Sequence, residues 1–156
     1  MKLTQRLALV ALALVSLGAV GLALISQHVY GMQPCPWCIL QRVIFVLIAL
    51  LLLIAAFLPG RGLFVGLSVL AALAGIAAAL YQHFVAAKSD SCNLTLADKI
   101  VSGLGLDKAW PDVFEVRASC ADAAVDLLHV PYEFWSLALY VLLAVAAIAA
   151  LRLRRD

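Results

Sequence analysis

Charged residues are scarce in this sequence. Lysine, arginine, aspartate and glutamate make up only 13% of its 156 residues, whereas 66% are hydrophobic. Because charged residues make up about 25% of a typical soluble domain, this composition excludes an ordinary water-soluble fold and indicates a chain that lies in lipid. The formal net charge is only +2, which gives no support to nucleic-acid binding.

The apolar stretches lack the alternation of apolar and polar residues that is typical of membrane β-strands. Since lipid offers no partners to backbone polar groups, these stretches are expected to be helices. We predict an all-α integral membrane four-helix bundle, a single domain over residues 1–156. Its helices are expected at about 7–25, 39–58, 63–87 and 134–151, with a long outer loop at 88–133.

The first apolar stretch follows Lys2 and Arg6, as it would in a cleaved signal peptide. It is longer than the roughly 7–15 apolar residues usual in such peptides, and no clean Ala-x-Ala cleavage site follows it. With three more apolar stretches downstream, we favour a first transmembrane helix.

Basic residues mark one side of the four-span arrangement: Lys2, Arg6, Arg61, Arg152, Arg154 and Arg155. That side is expected to be cytoplasmic, because loops rich in lysine and arginine stay inside. The opposite side carries every acidic residue except Asp156, and all four cysteines. We therefore expect a multi-pass membrane protein with both termini in the cytoplasm; in the inner membrane of a bacterium the cysteines would then face the periplasm, where disulfides persist.

Two cysteines lie within one turn of each other in Pro34-Cys35-Pro36-Trp37-Cys38, where the second apolar stretch begins. Thiols this close form a ring that opens and closes readily, and unpaired amides at a helix start favour a thiolate. The spacing therefore favours redox cycling. Half of an all-cysteine zinc site is the alternative, but Cys92 and Cys120 lack the second short spacing usual in such sites, so no metal is expected.

Cys92 and Cys120 lie in the long outer loop. A bond between them would close a loop of about 28 residues and stabilise it by about 3–4 kcal/mol on the chain-entropy model, so a purely structural disulfide is one interpretation. The other follows from the second pair on the same face, because two disulfides within reach can exchange through a mixed disulfide. All four cysteines are thus candidate catalytic residues of an electron relay.

Arg42 and His83 are polar candidates near these cysteines. Arg42 follows Cys38 by four residues, so it lies on the same helix face, about one turn deeper in the bilayer. A guanidinium there needs an anionic partner or must reach outward to lipid phosphate; we interpret it as a contact for the Cys38 thiolate and for an oxygen of a bound electron acceptor. His83, near the outer end of the third helix, either donates to the same acceptor or faces the headgroups.

These residues resemble the disulfide bond formation protein B family, DsbB. The resemblance covers nearly the whole chain and rests on Gln27-His28-Val29, Pro34-Cys35, Cys38-Ile39, Arg42, Tyr81-Gln82-His83, Leu106-Asp107-Lys108, Pro111, Val113-Phe114 and Ser119-Cys120-Ala121. It implies that Cys92 and Cys120 form the disulfide presented to a reduced DsbA-like thioredoxin-fold protein, with Cys92 attacked first, and that Cys35 and Cys38 reoxidise it. It also implies that Cys38, Arg42 and His83 face a membrane quinone, either ubiquinone or menaquinone.

The sequence departs from the family pattern at Gln41, where an acidic residue often precedes the arginine, and Pro36-Trp37 fills the dipeptide between the cysteines. The resemblance still implies a protein-disulfide oxidoreductase that oxidises a periplasmic dithiol and reduces quinone. One alternative is an enzyme like the vitamin K epoxide reductase group, which runs the other way. Another is a non-enzymatic membrane protein whose cysteines only hold its outer loops together.

The charge asymmetry predicts the topology. A reporter fused after Asp156 should give a cytoplasmic signal, and one inserted within residues 95–105 a periplasmic signal, because the basic residues hold their side inside. A periplasmic signal from the C-terminal fusion would contradict the four-span topology.

Overall fold

The computed structural model describes residues 3–88 and 96–152. Within them, four helices are long and apolar enough to cross a membrane: α1 (Leu3–His28), α2 (Pro36–Phe57), α3 (Arg61–Phe84, followed by a 3₁₀ turn at Ala86–Lys88) and α7 (Tyr132–Arg152). Between α3 and α7 lie the short helices α4 (Leu96–Gly103), α5 (Leu106–Ala109) and α6 (Pro111–Phe114) and a small antiparallel hairpin of β1 (Asp126–Leu127) and β2 (Val130–Pro131). The predicted all-α four-helix membrane bundle is confirmed.

Three of the long helices, α1, α2 and α7, reach two or three residues further towards the cysteine-bearing end than the sequence predicted, whereas α3 ends at Phe84, before the predicted residue 87. α2 begins at Pro36 rather than at residue 39, because proline at the first helical position has a preset φ and lacks an N–H that would go unpaired there. Cys35 caps this helix, and its Sγ accepts a hydrogen bond from the Cys38 N–H at 3.2 Å. Cys38 therefore lies inside the first turn of α2.

The bundle is built around α2, the most buried of the four spans. α2 packs against α1 and α3, α3 packs against α7, and α1 touches α7 only lightly. Lipid supplies no hydrophobic driving force between helices, so the spans associate through close packing and interhelical hydrogen bonds. The light contact between α1 and α7 leaves a gap on one side of the bundle.

Tyr140 of α7 packs at the centre of the bundle and contacts α2. Its ring stacks on Phe45 of α2 with centroids 4.2 Å apart, and its hydroxyl donates to the Gln41 carbonyl at 2.9 Å. Gly75 of α3 makes room for the ring, because a Cβ at that position would clash with it. The small residue thus lets α3 and α7 approach closely.

The segment between α3 and α7 is docked on the outer end of α2. Val101 of α4 and Phe114 of α6 pack around Ile39, which is fully buried. Further along, the β1–β2 hairpin turns through Leu128 and His129, both with positive φ, and the Trp135 indole donates to the Leu127 carbonyl at 3.2 Å. These contacts bring the residues around Cys120 over the start of α2.

Packing at Gly75 yields a stability prediction. Gly75→Ala should lower the free energy of unfolding by about 1–3 kcal/mol, because the new methyl group displaces the Tyr140 ring. Gly66→Ala, on an exposed face of the same helix with no atom near the added methyl, is the matched control and should be neutral or slightly stabilising. Denaturant unfolding in detergent micelles, followed by circular dichroism, measures both; equal stability of the two variants would contradict the packing role of Gly75.

Candidate functional site

Three of the four cysteines meet at the outer end of α2. The Pro34 carbonyl accepts hydrogen bonds from the backbone N–H groups of Arg117 at 3.0 Å and Ala118 at 3.2 Å, which ties the segment before Cys120 to the segment before Cys35. Cys35 is fully buried, and its thiol is hydrogen-bonded with the sulfurs of Cys120 and Cys38. Cys120 is also buried. Disulfide exchange needs sulfurs in contact, and this arrangement supplies them.

The contact between Cys35 and Cys120 shifts the pKa values of the two thiols in opposite directions. The hydrogen bond with Cys120, a second one with Cys38 and burial together raise the pKa of the Cys35 thiol. The bond with Cys35 lowers the pKa of Cys120, and a hydrogen bond from the Trp37 backbone N–H lowers it further, against the opposing effect of burial. In this reduced state the proton therefore stays on Cys35, and Cys120 is the sulfur of the two that more readily becomes a thiolate, the reactive form in disulfide exchange.

Two buried glutamines hold Cys38. The Gln82 side-chain amide of α3 donates to the Cys38 sulfur at 3.4 Å, and Gln41 of α2 donates to the Gln82 amide oxygen at 2.7 Å. The bond from Gln41 occupies the acceptor end of Gln82 and so turns its donor end towards the sulfur. Gln41, which departs from the family pattern, therefore fixes the environment of Cys38 through Gln82.

Arg42 is buried, with 5% of its surface exposed. Its guanidinium donates to the Gln27 side-chain oxygen at 2.7 Å, the Val113 carbonyl at 2.8 Å and the Ala23 carbonyl at 3.4 Å. All three acceptors are neutral, and in the described ranges no carboxylate forms an ion pair with it. The guanidinium thus keeps a charge that the neighbouring protein groups solvate but do not neutralise.

A cavity of about 470 Å³ lies beneath these groups, between α1 and α7, with α2 as its floor. Its polar end is formed by Cys38, Gln41, Arg42, Gln82 and Glu133, and its apolar walls by residues such as Val20, Leu22, Ile25, Phe45 and Leu139. Leu22 and Trp135, on either side of the gap, are both substantially exposed. The cavity therefore opens sideways, towards the position of the lipid.

His83 reaches this cavity through a neighbour. Among the described residues, those lining the cavity include Gln82 and Glu133 but not His83. The His83 Nδ1 lies 2.6 Å from the Glu133 carboxylate, whose side chain is only 5% exposed against 30% for the imidazole. Direct donation from His83 to an acceptor in the cavity stays a prediction, and the contact with Glu133 is the one observed.

Cys92 lies outside the described residues, so its pairing with Cys120 and its role also stay predictions. For the part of the chain that is described, no group of three or more histidine, cysteine, aspartate or glutamate residues is placed to hold a metal ion. Cys38 and Arg42, predicted to act together, both line the cavity.

Sequence reasoning assigned no role to Gln27 or Glu133. Gln27 holds the Arg42 guanidinium, and Glu133 holds His83. The sequence feature that could have identified them is a polar side chain at the edge of an apolar span, because such a side chain must be hydrogen-bonded if it is buried. That signal identifies a residue that needs a partner but not the partner, because partners on different helices are set by packing.

Comparisons with known proteins point to one family. The family model described as Disulfide bond formation protein DsbB matches residues 5–150. Disulfide bond formation protein B 1 of Pseudomonas putida is 39% identical over 145 residues, which cover 90% of this chain and 86% of that protein. Disulfide bond formation protein B of Ralstonia nicotianae is 36% identical over 158 residues, and that of Cupriavidus necator 34% over 159; each alignment covers 100% of this chain and 99% of the relative.

Proposed function

Because this chain belongs to the disulfide bond formation protein B family, we propose that it passes electrons from a reduced DsbA-like partner, through its cysteines, to a quinone in the bacterial inner membrane. It is a multi-pass membrane oxidoreductase of disulfide bond formation. One observation carries the route: Cys38 touches both the cysteine cluster and an apolar cavity that contains a buried guanidinium. Family membership favours this direction over that of the vitamin K epoxide reductase group.

The thiol steps follow from the contacts. The partner's thiolate attacks Cys92 in a Cys92–Cys120 disulfide and releases the Cys120 thiolate. Cys120 then attacks Cys35, so that a Cys35–Cys120 bond forms, the Cys35–Cys38 bond breaks and the electron pair stays on Cys38. The contact between Cys120 and Cys35 supports this order. Resolution of the mixed disulfides by the partner's second thiol and then by Cys92 restores the outer pair and leaves Cys35 and Cys38 reduced.

The cavity suits a quinone as the substrate that accepts these electrons. Its apolar walls match a hydrophobic ring and tail, and its sideways opening gives access from lipid. Charge that develops on the quinone oxygens during reduction is stabilised by a fixed guanidinium in a site of low dielectric constant. Arg42 supplies that charge, Cys38 is the electron donor beside it, and His83 acts through Glu133.

The sidedness of the protein is part of the proposal. The partner must reach Cys92 and Cys120, so these cysteines face the periplasm. The basic residues then lie at the cytoplasmic surface, together with both termini. Quinone enters from the membrane between these two surfaces.

The relay predicts distinct effects for the two cysteine pairs. Cys92→Ser and Cys120→Ser should each block oxidation of the reduced partner but leave Cys35 and Cys38 able to be oxidised by quinone, because the outer pair alone meets the partner. Thiol trapping of purified variants, with the reduced partner or with quinone alone, separates the two reactions. Full partner-oxidising turnover by Cys92→Ser would make the outer disulfide structural and the relay wrong.

The position of Arg42 in the cavity leads to a prediction about the quinone KM. Arg42→Met, which keeps the apolar stem but removes the charge, should raise the quinone KM by about tenfold or more, equivalent to about 1.4 kcal/mol if KM reports binding. Arg42→Lys retains the charge and should lose less. Steady-state oxidation of the reduced partner at varied quinone measures the effect, and single-turnover exchange without quinone should be nearly unchanged. Slower exchange with an unchanged quinone KM would reject this role.

A further inference from the structure

Glu133 is a buried carboxylate that the thiol relay does not use. Its residue surface is 5% exposed, and it lines the cavity together with Cys38 and Arg42. Burying a carboxylate beside apolar walls is unfavourable unless it is paired or carries a proton. Its position in the first turn of α7 places this acid at the polar end of the cavity.

His83 connects this carboxylate to the outer surface. The imidazole Nδ1 lies 2.6 Å from the Glu133 Oε1, while 30% of the His83 side chain is exposed. Ring contacts with Phe84 and Phe134, at centroid distances of 4.9 and 4.7 Å, hold the imidazole in place. Since an imidazole has two ring nitrogens and can take up a proton at one and release one from the other, the pair forms a hydrogen-bonded path from the exposed part of the ring to the cavity.

We propose that Glu133 and His83 form a proton-uptake route that delivers a periplasmic proton to the acceptor in the cavity. The inference rests on the proposed function, because reduction of a quinone to a quinol consumes two protons as well as two electrons. Electron donation from Cys38 supplies no proton when that residue reacts as a thiolate. The route supplies the missing one.

The step balances with the residues present. A Cys38 thiolate and a Cys35 thiol close their disulfide: the S–S bond forms, the Cys35 S–H bond breaks and two electrons pass to the quinone. The Cys35 proton and a proton donated by Glu133 go to the quinone oxygens, which gives the quinol and leaves a Glu133 carboxylate. His83 then returns a proton to Glu133 and takes another from periplasmic water.

Other groups near Glu133 are less suited to this role. The titratable and charged groups that share the cavity with it or act on it are Cys38 and Arg42 on α2, His83 on α3, Tyr132 on α7, Tyr30 between α1 and α2, and Cys120. Arginine holds its proton throughout the neutral range, tyrosine ordinarily does so too, and the thiols are the electron carriers. His83 is partly exposed and also contacts Glu133 directly.

Turnover of the full-length protein in detergent tests the route, with dithiothreitol as electron donor and decylubiquinone as acceptor. Glu133→Gln keeps the shape and polarity of the side chain but cannot donate an acidic proton, so kcat should fall at least about tenfold while the quinone KM changes by less than about threefold. Glu133→Asp should retain part of the rate. His83→Ala should also lower kcat, and added imidazole should restore it, a rescue that a structural defect would not show. Asp126→Asn, at an exposed carboxylate between the lining residues Val125 and Leu127, is the matched control and should turn over normally.

A second measurement needs no quinone. Infrared difference spectra of the quinone-free protein between about pH 5 and about pH 8 should contain a carboxylic acid C=O band that Glu133→Gln removes, His83→Ala displaces and Asp126→Asn retains. Absence of quinone reduction by the unaltered protein would overturn the proposed function and this route with it. If the unaltered protein reduces quinone normally, either of two results would overturn the route alone. One is a turnover rate of Glu133→Gln within about twofold of that of the unaltered protein, and the other is the absence of an infrared band that Glu133→Gln removes.

Discussion

A buried guanidinium organises the outer end of this bundle. Arg42 reaches from α2 to Gln27 of α1 and to the Val113 carbonyl of α6, and Gln27 in turn donates to the Asp112 carbonyl at 3.3 Å. One cation therefore connects two spans to the docked outer segment. Removing a charge from water is tolerated only when polar groups replace the water, so these acceptors must stay in place for the cation to stay buried. The geometry of the cysteine cluster depends on the same segment.

The groups around Cys38 divide into neutral and charged ones. On the side away from Cys35 the Cys38 sulfur accepts a hydrogen bond from the Gln82 amide, which Gln41 holds in turn, so the polar groups on this side are amides. Arg42 and Glu133 stand further along the same cavity. An amide N–H can donate a hydrogen bond to a sulfur whether that sulfur is a thiol or a thiolate, and the amide itself neither gains nor loses a proton. In the proposed mechanism, the proton that is taken up from outside the site is thereby carried by Glu133 and His83.

The sequence was sufficient for the architecture. Long apolar stretches can only be helices in lipid, so the four spans were predictable. The redox roles that the motif around Cys35 and Cys38 suggested stay predictions. The start of α2 was placed three residues late, because an apolar run marks where a helix enters the membrane and does not include the proline at its first helical position, Pro36. The contact between Cys35 and Cys120 and the pairing of His83 with Glu133 join residues far apart in the chain. Such contacts follow from how α3, α7 and the outer segment pack, and a single sequence does not encode them in any local pattern.

The gap between α1 and α7 has a consequence for how this protein would respond to its membrane. An acceptor dissolved in lipid would meet the opening between Leu22 and Trp135 by diffusion in two dimensions. The fraction of cavities that hold quinone would then depend on the ratio of quinone to lipid in the membrane and not on the amount of quinone per volume of cell. Because the quinol would leave by the same gap, reduced and oxidised forms would compete for one entrance. The rate of disulfide formation would therefore track the redox state of the membrane pool, and the folding of exported proteins would be coupled to respiration.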